Sequence, residues 1–240
     1  MKVISFLMKG RFAHFCLPFT NVYRLTQPCP TKTAIMGFIG SVMGINKNDF
    51  ILYDKLKCGI EIVDEVEGIK KNYRTINVPY LGRKGFAGNS ANNQSSRISI
   101  EVIVDPIYKI YLLGDEKFLS EIQKLMLLRE PVYTPYLGLA QFIASTEFHV
   151  SEIVDAQAVE GENVNASGAF IRKFHGDLDF SKLTYGSIRL TEFEGIKGIS
   201  PPRNFEHSVF AINLDSAPIP LKEVKQVVRI PEWDKYVPFF

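Results

Sequence analysis

At 240 residues, 46% of them hydrophobic and 12% aromatic, the chain has material for one domain with a large insertion or two small units on a shared core. Charged residues make up 22%, too few for a disordered or tail-like chain, and a net charge of +2 names no partner by itself. Three cysteines (Cys16, Cys29, Cys58), with no CxxC pair and no signal peptide ahead of them, speak against a disulfide framework or a zinc site and point to a reducing cytoplasm.

Residues 1–9 carry a short apolar run closed by Lys9-Gly10-Arg11. The run lacks a small-residue cleavage site and is too short to span a bilayer, so it predicts a first β-strand. Residues 10–29 read as a long irregular segment rich in Phe, Thr and Pro, stopped by Pro28 and Pro30. In 31–44, Ala34, Ile35, Phe38, Ile39, Val42 and Met43 recur at helical spacing. Thr31 or Thr33 is the expected N-cap and Gly44 the stop, and Gly37 and Gly40 are expected to let the helix pack close against a sheet.

Strand-like runs follow at 57–66, 98–104 and 107–113, with Asp105-Pro106 between the last two. Between the first two, 78–97 is rich in Gly, Asn and Ser and suits a loop or the tip of an extended hairpin. Asp115 caps a second predicted helix over 116–129, with Phe118, Leu119, Ile122, Leu125 and Met126 on its apolar face. With 144–154 as closing strand, the order is that of a ferredoxin-like βαββαβ unit. Short runs at 166–174, 186–193, 205–214 and 224–230 then predict a β-rich remainder. The expected fold is α+β. Residues 1–150 form a ferredoxin-like (RRM-like) domain with a basic hairpin insertion at about 68–100, and 151–240 form a smaller docked β-rich part.

Charge is segregated along this layout. Residues 1–48 hold Lys2, Lys9, Arg11, Arg24, Lys32 and Lys47 and no acid; residues 68–100 hold Lys70, Lys71, Arg74, Arg83, Lys84 and Arg97 and no acid. Together they carry +12, which leaves −10 on the rest of a chain whose net charge is +2. If the two stretches meet in space, they make a surface for a polyanion; otherwise they are two solvated loops. Lys70-Lys71-Asn72-Tyr73-Arg74 and Arg83-Lys84-Gly85-Phe86 interleave cations with rings, the mixture that holds single-stranded RNA through phosphates and stacked bases. The amides opening the first helix, with Lys32, Thr31 and Thr33, suit a phosphate, or the threonines simply cap while Lys32 stays in water. His14 either stacks on RNA or is a satisfied core group.

Gly10-Arg11-Phe12-Ala13-His14-Phe15, followed by Pro30-Thr31-Lys32-Thr33-Ala34-Ile35-Met36-Gly37, resembles the amino-terminal signature of the Cas-five family of RAMP proteins. Pro131-Val132-Tyr133-Thr134-Pro135-Tyr136-Leu137-Gly138 resembles a second motif of that family. The resemblance implies a subunit of a type I CRISPR surveillance complex (Cascade), closest to I-B, that works in antiviral defence within a cytoplasmic ribonucleoprotein. Such a subunit grips the 5′ handle of the CRISPR RNA, projects the hairpin as a thumb, and meets the backbone and large subunits. Arg11, Lys32, Lys71, Arg74, Arg83, Lys84 and Arg97 are the candidate phosphate ligands. Tyr73, and His14 or Phe86, are the candidate stacking platforms.

One branch of that family cleaves precursor RNA with a Lys-His doublet and a Tyr. Here no histidine follows a lysine, Lys173-Phe174-His175 being the nearest approach; His14 with Tyr23 and Lys32 is an alternative constellation. No GxxxxGK(S/T), GxSxG or HExxH motif is present, and 101–160, with ten acids against four bases, holds no D-x-D cluster. The expectation is a non-catalytic binder that needs no cofactor, metal, membrane or small-molecule substrate. The alternatives are a metal-independent endoribonuclease or a purely structural assembly subunit.

Overall fold

The computed structural model describes all residues except 18–19, 21–22, 47–48, 67–68, 71–72, 84–94, 173, 184–188 and 201–203, and it describes backbone alone at 23, 65–66, 69–70, 80–83, 95–98, 197–198 and 200. The opening strand, Lys2–Lys9, buries Val3, Ile4, Phe6 and Met8, so it must lie inside a sheet covered on both faces. It pairs along its whole length with Ile107–Gly114, from Lys2 opposite Gly114 to Lys9 opposite Ile107. Lys57–Ile62 continues the sheet beyond Ile107–Gly114, and Val154–Asp155 flanks the opening strand on its other side, all antiparallel. In chain order the sheet reads fourth, first, third, second, which is the ferredoxin-like arrangement.

Both long helices form where local chemistry dictates. Thr31 accepts a hydrogen bond from Ala34 N at 3.3 Å and caps helix Lys32–Met43; Gly44, at φ 74°, ends it by donating its N–H to Gly40 O. Asp115 caps Glu116–Leu128 in the same way through Lys117 N at 3.2 Å. Phe38 stacks on Phe6 with ring centroids 5.9 Å apart, and Leu119, Ile122 and Met126 complete the same core.

Two expectations need correction. Residues 144–154 run beside the opening strand, but only Val154–Asp155 is strand. His149 takes φ 45°, and the Ser151 hydroxyl, not a backbone carbonyl, accepts from Ser5 N at 2.9 Å, so the ladder breaks up. Nor does close packing explain both helix glycines. A Cβ on Gly40 would make only ordinary contact with Leu52 and Ile45, and one on Gly37 would meet nothing within 4 Å.

The predicted hairpin insertion has paired strands, Thr75–Arg83 and Ser95–Val104, in register from Thr75 opposite Ile103 to Arg83 opposite Ser95. Of the stretch 78–97 expected as a loop or hairpin tip, 78–83 and 95–97 are strand, and 84–94 lies outside the described residues. The remainder of the chain is β-rich. A long hairpin, Leu190–Ser200 with Asn204–Asn213, sends Phe193, Phe210 and Ile212 into the main core. A six-stranded sheet includes Val227–Ile230, Lys235–Pro238, Val164–Ala166 and Ile219–Lys222. This sheet is tied to the outer edge of Lys57–Ile62 by Ala169 N donating to Ile60 O at 2.7 Å and by mutual backbone bonds between Cys58 and Phe240 at 3.0 Å. Among the described residues no helix is long and apolar enough to cross a membrane.

Candidate nucleic-acid interface

The two acid-free stretches meet. Ser95–Val104 pairs on one edge with Thr75–Arg83 and on the other with Phe12–Ala13 and Tyr23–Arg24, so segments from both stretches form one sheet. At the foot of the hairpin, Arg74 reaches Asp105 at 3.4 Å, and Asp105 N donates to Arg11 O at 2.8 Å. Arg11 and Arg74 are both exposed there, on either side of the Asp105-Pro106 turn. One acid between two arginines leaves a net cation facing water.

The two sequence motifs, separated by about ninety residues in the chain, also come together. His14 N donates to Leu137 O at 3.1 Å, and a Cβ on Gly10 would stand 2.7 Å from the Leu137 side chain. Gly138, at φ +87°, lies so near the His14 carbonyl that a Cβ would overlap it, at 1.8 Å. Only glycine permits that approach and that backbone angle. Beside this junction is a cavity of about 390 Å³, lined by His14 and Phe15 of the first motif, Thr31, Thr33, Gly37 and Phe38 of the helix, and Tyr136, Gly138 and Leu139 of the second motif. Gln27 and, from the long C-terminal hairpin, Glu194, Ile196 and His207 also line it, with Cys16, Ala34 and Ser41.

His14 is 1% exposed, and its Nδ1–H donates to Glu101 O at 2.7 Å. Burial, followed by the nearby Arg24 charge, outweighs that bond and Glu101 and holds the ring below its ordinary value of 6.5. The unfolded chain therefore binds a proton that the folded chain refuses, so this residue's contribution makes stability fall as pH drops below 6.5. A ring-¹⁵N NMR titration should find His14 neutral and protonated on Nδ1 at pH 6.5; a midpoint at or above that value refutes the assignment.

The other candidates take different places. Lys32 is 8% exposed and lines a separate cavity beside Lys55, Leu56 and Phe240, so at the helix start it is the threonines, not the lysine, that face the motif junction. Tyr73 packs against the main core, and burial pushes its hydroxyl well above the usual range, with Glu101 adding to the shift. Arg83 and Arg97 belong to the hairpin strands, Arg83 opposite Ser95 and Arg97 opposite Leu81; Lys71, Lys84 and Phe86 lie outside the described residues. Cys29 and Cys58 are buried, and burial pushes the Cys58 thiol up to about 12, so it stays a neutral core group. Among the described residues no cluster of His, Cys, Asp or Glu could hold a metal ion. Sequence reasoning left Gln27 and Arg24 out of the site. Arg24 was visible as part of an acid-free stretch, whereas nothing near Gln27 in the sequence marks it.

Comparison with known proteins adds a family and a fold. A family model described as CRISPR-associated protein (Cas_Cas5) matches residues 3–185. No curated protein sequence matches the chain. Among solved structures, a CRISPR protein from Archaeoglobus fulgidus is similar at a TM-score of 0.63 and 11% identity, covering 99% of this chain and 98% of that one. A chain of a CRISPR RNA-guided surveillance complex is similar at a TM-score of 0.51 and 14% identity, with 91% of each chain covered. A chain of a Type III-B Cmr-beta complex bound to cognate target RNA and AMPPnP gives a TM-score of 0.50 at 11% identity, covering 90% and 86%. At such identities the likeness is one of fold.

Proposed function

The chain belongs to the CRISPR-associated Cas5 family, and from that premise we propose that it is a non-catalytic RNA-binding subunit of a CRISPR ribonucleoprotein, holding the 5′ handle of a CRISPR RNA. The observation that carries this reading is the sheet joining the two acid-free stretches, with Arg11 and Arg74 exposed at the foot of the basic hairpin. Cations along a paired ribbon suit a phosphate backbone, and the hairpin would act as the thumb over the RNA. The type I, I-B-like assignment, with a backbone and a large subunit as neighbours, rests on the motifs, and a similar fold occurs in a Type III-B complex.

Geometry favours holding over cutting. Metal-independent cleavage needs a base, an acid and a cation converging on one phosphate. His14 and Lys32, two members of the candidate cleavage constellation, line different cavities. The test is to mix the protein with labelled repeat-derived RNA, with and without EDTA, and follow both retention and strand length. Intact RNA should be retained, with an affinity that falls steeply with salt. Changing Lys71, Arg74, Arg83 and Lys84 to alanine should flatten the log–log salt slope by about 3, at roughly 0.7 per phosphate released. RNA shortened in EDTA would turn the assignment to a nuclease; retention indifferent to salt and to the four alanines would leave a purely structural subunit.

A further inference from the structure

Exposed apolar side chains gather at one place on this molecule. Of the twelve large apolar and aromatic side chains exposed among the described residues, six fall within residues 127–143. They are Leu127 and Leu128 at the end of the helix Glu116–Leu128, Val132, Tyr133 and Tyr136 of the second motif, and Ile143. The backbone draws the motif residues together. Tyr136 and Ile143 face each other across an antiparallel bridge, and Tyr133 N donates to Ser41 O at 2.9 Å, which pins the motif along the helix Lys32–Met43. Tyr136 lines the cavity at the motif junction. With Tyr133 it also lines an adjoining cavity of about 430 Å³, and Gly37 and Ser41 are common to both.

A distant part of the chain brings more of the same. On the hairpin strand Asn204–Asn213, Phe205, His207 and Val209 alternate onto one face. His207 lines the junction cavity, so Phe205 and Val209, both exposed, stand on either side of it. Gly37 supports the same picture: glycine inside a helix costs about 1 kcal/mol relative to alanine, yet a Cβ here would meet nothing within 4 Å. No contact within the chain calls for that glycine, and its missing side chain leaves the floor shared by the two cavities open.

Charge decides what kind of molecule fits. The described residues lining the two cavities include the acids Glu194 and Asp49 and neither lysine nor arginine. Within 127–143 the one cation, Arg129, lies 3.6 Å from Glu147. A phosphate backbone laid here would meet acids with no free cation to hold it. Clustered tyrosines and aliphatic side chains with acids beside them instead suit the buried centre of a protein interface. Building on the reading of this chain as a subunit of a CRISPR ribonucleoprotein, we propose that this face docks a neighbouring protein subunit. The docked segment brings apolar side chains to Tyr133, Tyr136 and the hairpin face, and lysine or arginine to Glu194 and Asp49. RNA and protein then occupy separate surfaces, the basic hairpin and the apolar face.

The experiment is hydroxyl-radical footprinting of the full chain in three states: alone, with repeat-derived RNA, and assembled on that RNA with its backbone and large subunits. Tyr133, Tyr136 and Phe205 should oxidise equally in the first two states and about fivefold more slowly in the third, where the interface excludes water. Tyr133→Ser with Val209→Ser, both at exposed positions, should weaken retention of the partner subunit about tenfold or more and leave the RNA titration unchanged. Asp49→Asn keeps the acceptor that Ile51 N uses at 3.0 Å; combined with Glu194→Gln, it should flatten the salt dependence of that retention. Protection by RNA alone makes the face an RNA surface and overturns the proposal. Protection that grows with concentration in the chain alone makes it a contact between copies and does the same. Full oxidation in the assembled complex, or failure of both subunits to join, also overturns it, while salt-sensitive RNA retention leaves the phosphate surface standing. Protection in a complex whose RNA contact is indifferent to alanine at Lys71, Arg74, Arg83 and Lys84 removes the RNA-binding reading and leaves the docking face.

Discussion

Replacing Gly138 with alanine is expected to lower the unfolding free energy by about 2–6 kcal/mol, the sum of backbone strain at a left-handed angle and a forced rearrangement of packing. At φ +87°, the new Cβ would stand 1.8 Å from His14 O, a distance no relaxation of a side chain can relieve because the obstacle is backbone. The strand end carrying His14, or the Tyr136–Gly138 turn, must move. Each degree of stability lost shows in thermal melting, at roughly 2–4 °C per kcal/mol for a chain of this size. Gly161→Ala is the matched control: its φ is +73°, but its Cβ would meet nothing within 4 Å, so it carries the strain without the collision. Gly161→Ala should cost only about 1–2 kcal/mol. If Gly138→Ala melts no lower than Gly161→Ala, the two motifs are not pressed together as described.

Lys235→Met should cost about 2–4 kcal/mol, for a different reason. Lys235 Nζ donates to both oxygens of Glu61 at 2.7 Å, and the Tyr111 hydroxyl donates to the same carboxylate at 2.5 Å. Glu61 is 7% exposed on the strand Lys57–Ile62, so removal of the lysine strands a buried carboxylate. The lysine side chain is 29% exposed, which lets water recover part of the loss and keeps the figure below that of a fully buried pair. Nearby Lys109 lies over the Tyr111 and Trp233 rings, and burial, followed by Lys235, lowers its pKa. Adding Glu61→Leu to Lys235→Met should restore much of the loss. Removing the exposed Arg189–Asp215 pair by Arg189→Met should cost less than about 1 kcal/mol. A Lys235→Met melting curve that overlays that of Arg189→Met would show that the Glu61 contact contributes nothing.

What the sequence disclosed depended on the range of the interaction. Thr31, Gly44 and Asp115 act on backbone within three or four residues, so both helices could be read with their ends nearly right. The sheet order followed from the alternation of strand and helix, because few connections of that order fit together. The strand expected over 144–154 failed because apolar alternation cannot reveal that Ser145 and Ser151 will offer hydroxyls in place of ladder partners. His14 and Lys32 are polar residues in short motifs, and their burial depends on what arrives from elsewhere: Glu101 and the Gly138 turn for one, Phe240 and Leu56 for the other. Gln27 was invisible for the same reason, since its side chain is held only once the Glu194 carbonyl accepts from its amide nitrogen.

The central position of the opening strand sets the order of events during synthesis. Lys2–Lys9 is made before both of its partners, Ile107–Gly114 and Val154–Asp155, which follow roughly a hundred or more residues later. At about 5–20 residues per second, that strand waits several seconds with Val3, Ile4, Phe6 and Met8 uncovered. The helix Lys32–Met43 can shield part of it, but no edge of its backbone is paired in that interval. A strand central to the sheet is therefore secured long after it is made, and in that interval the nascent chain is open to mispairing there.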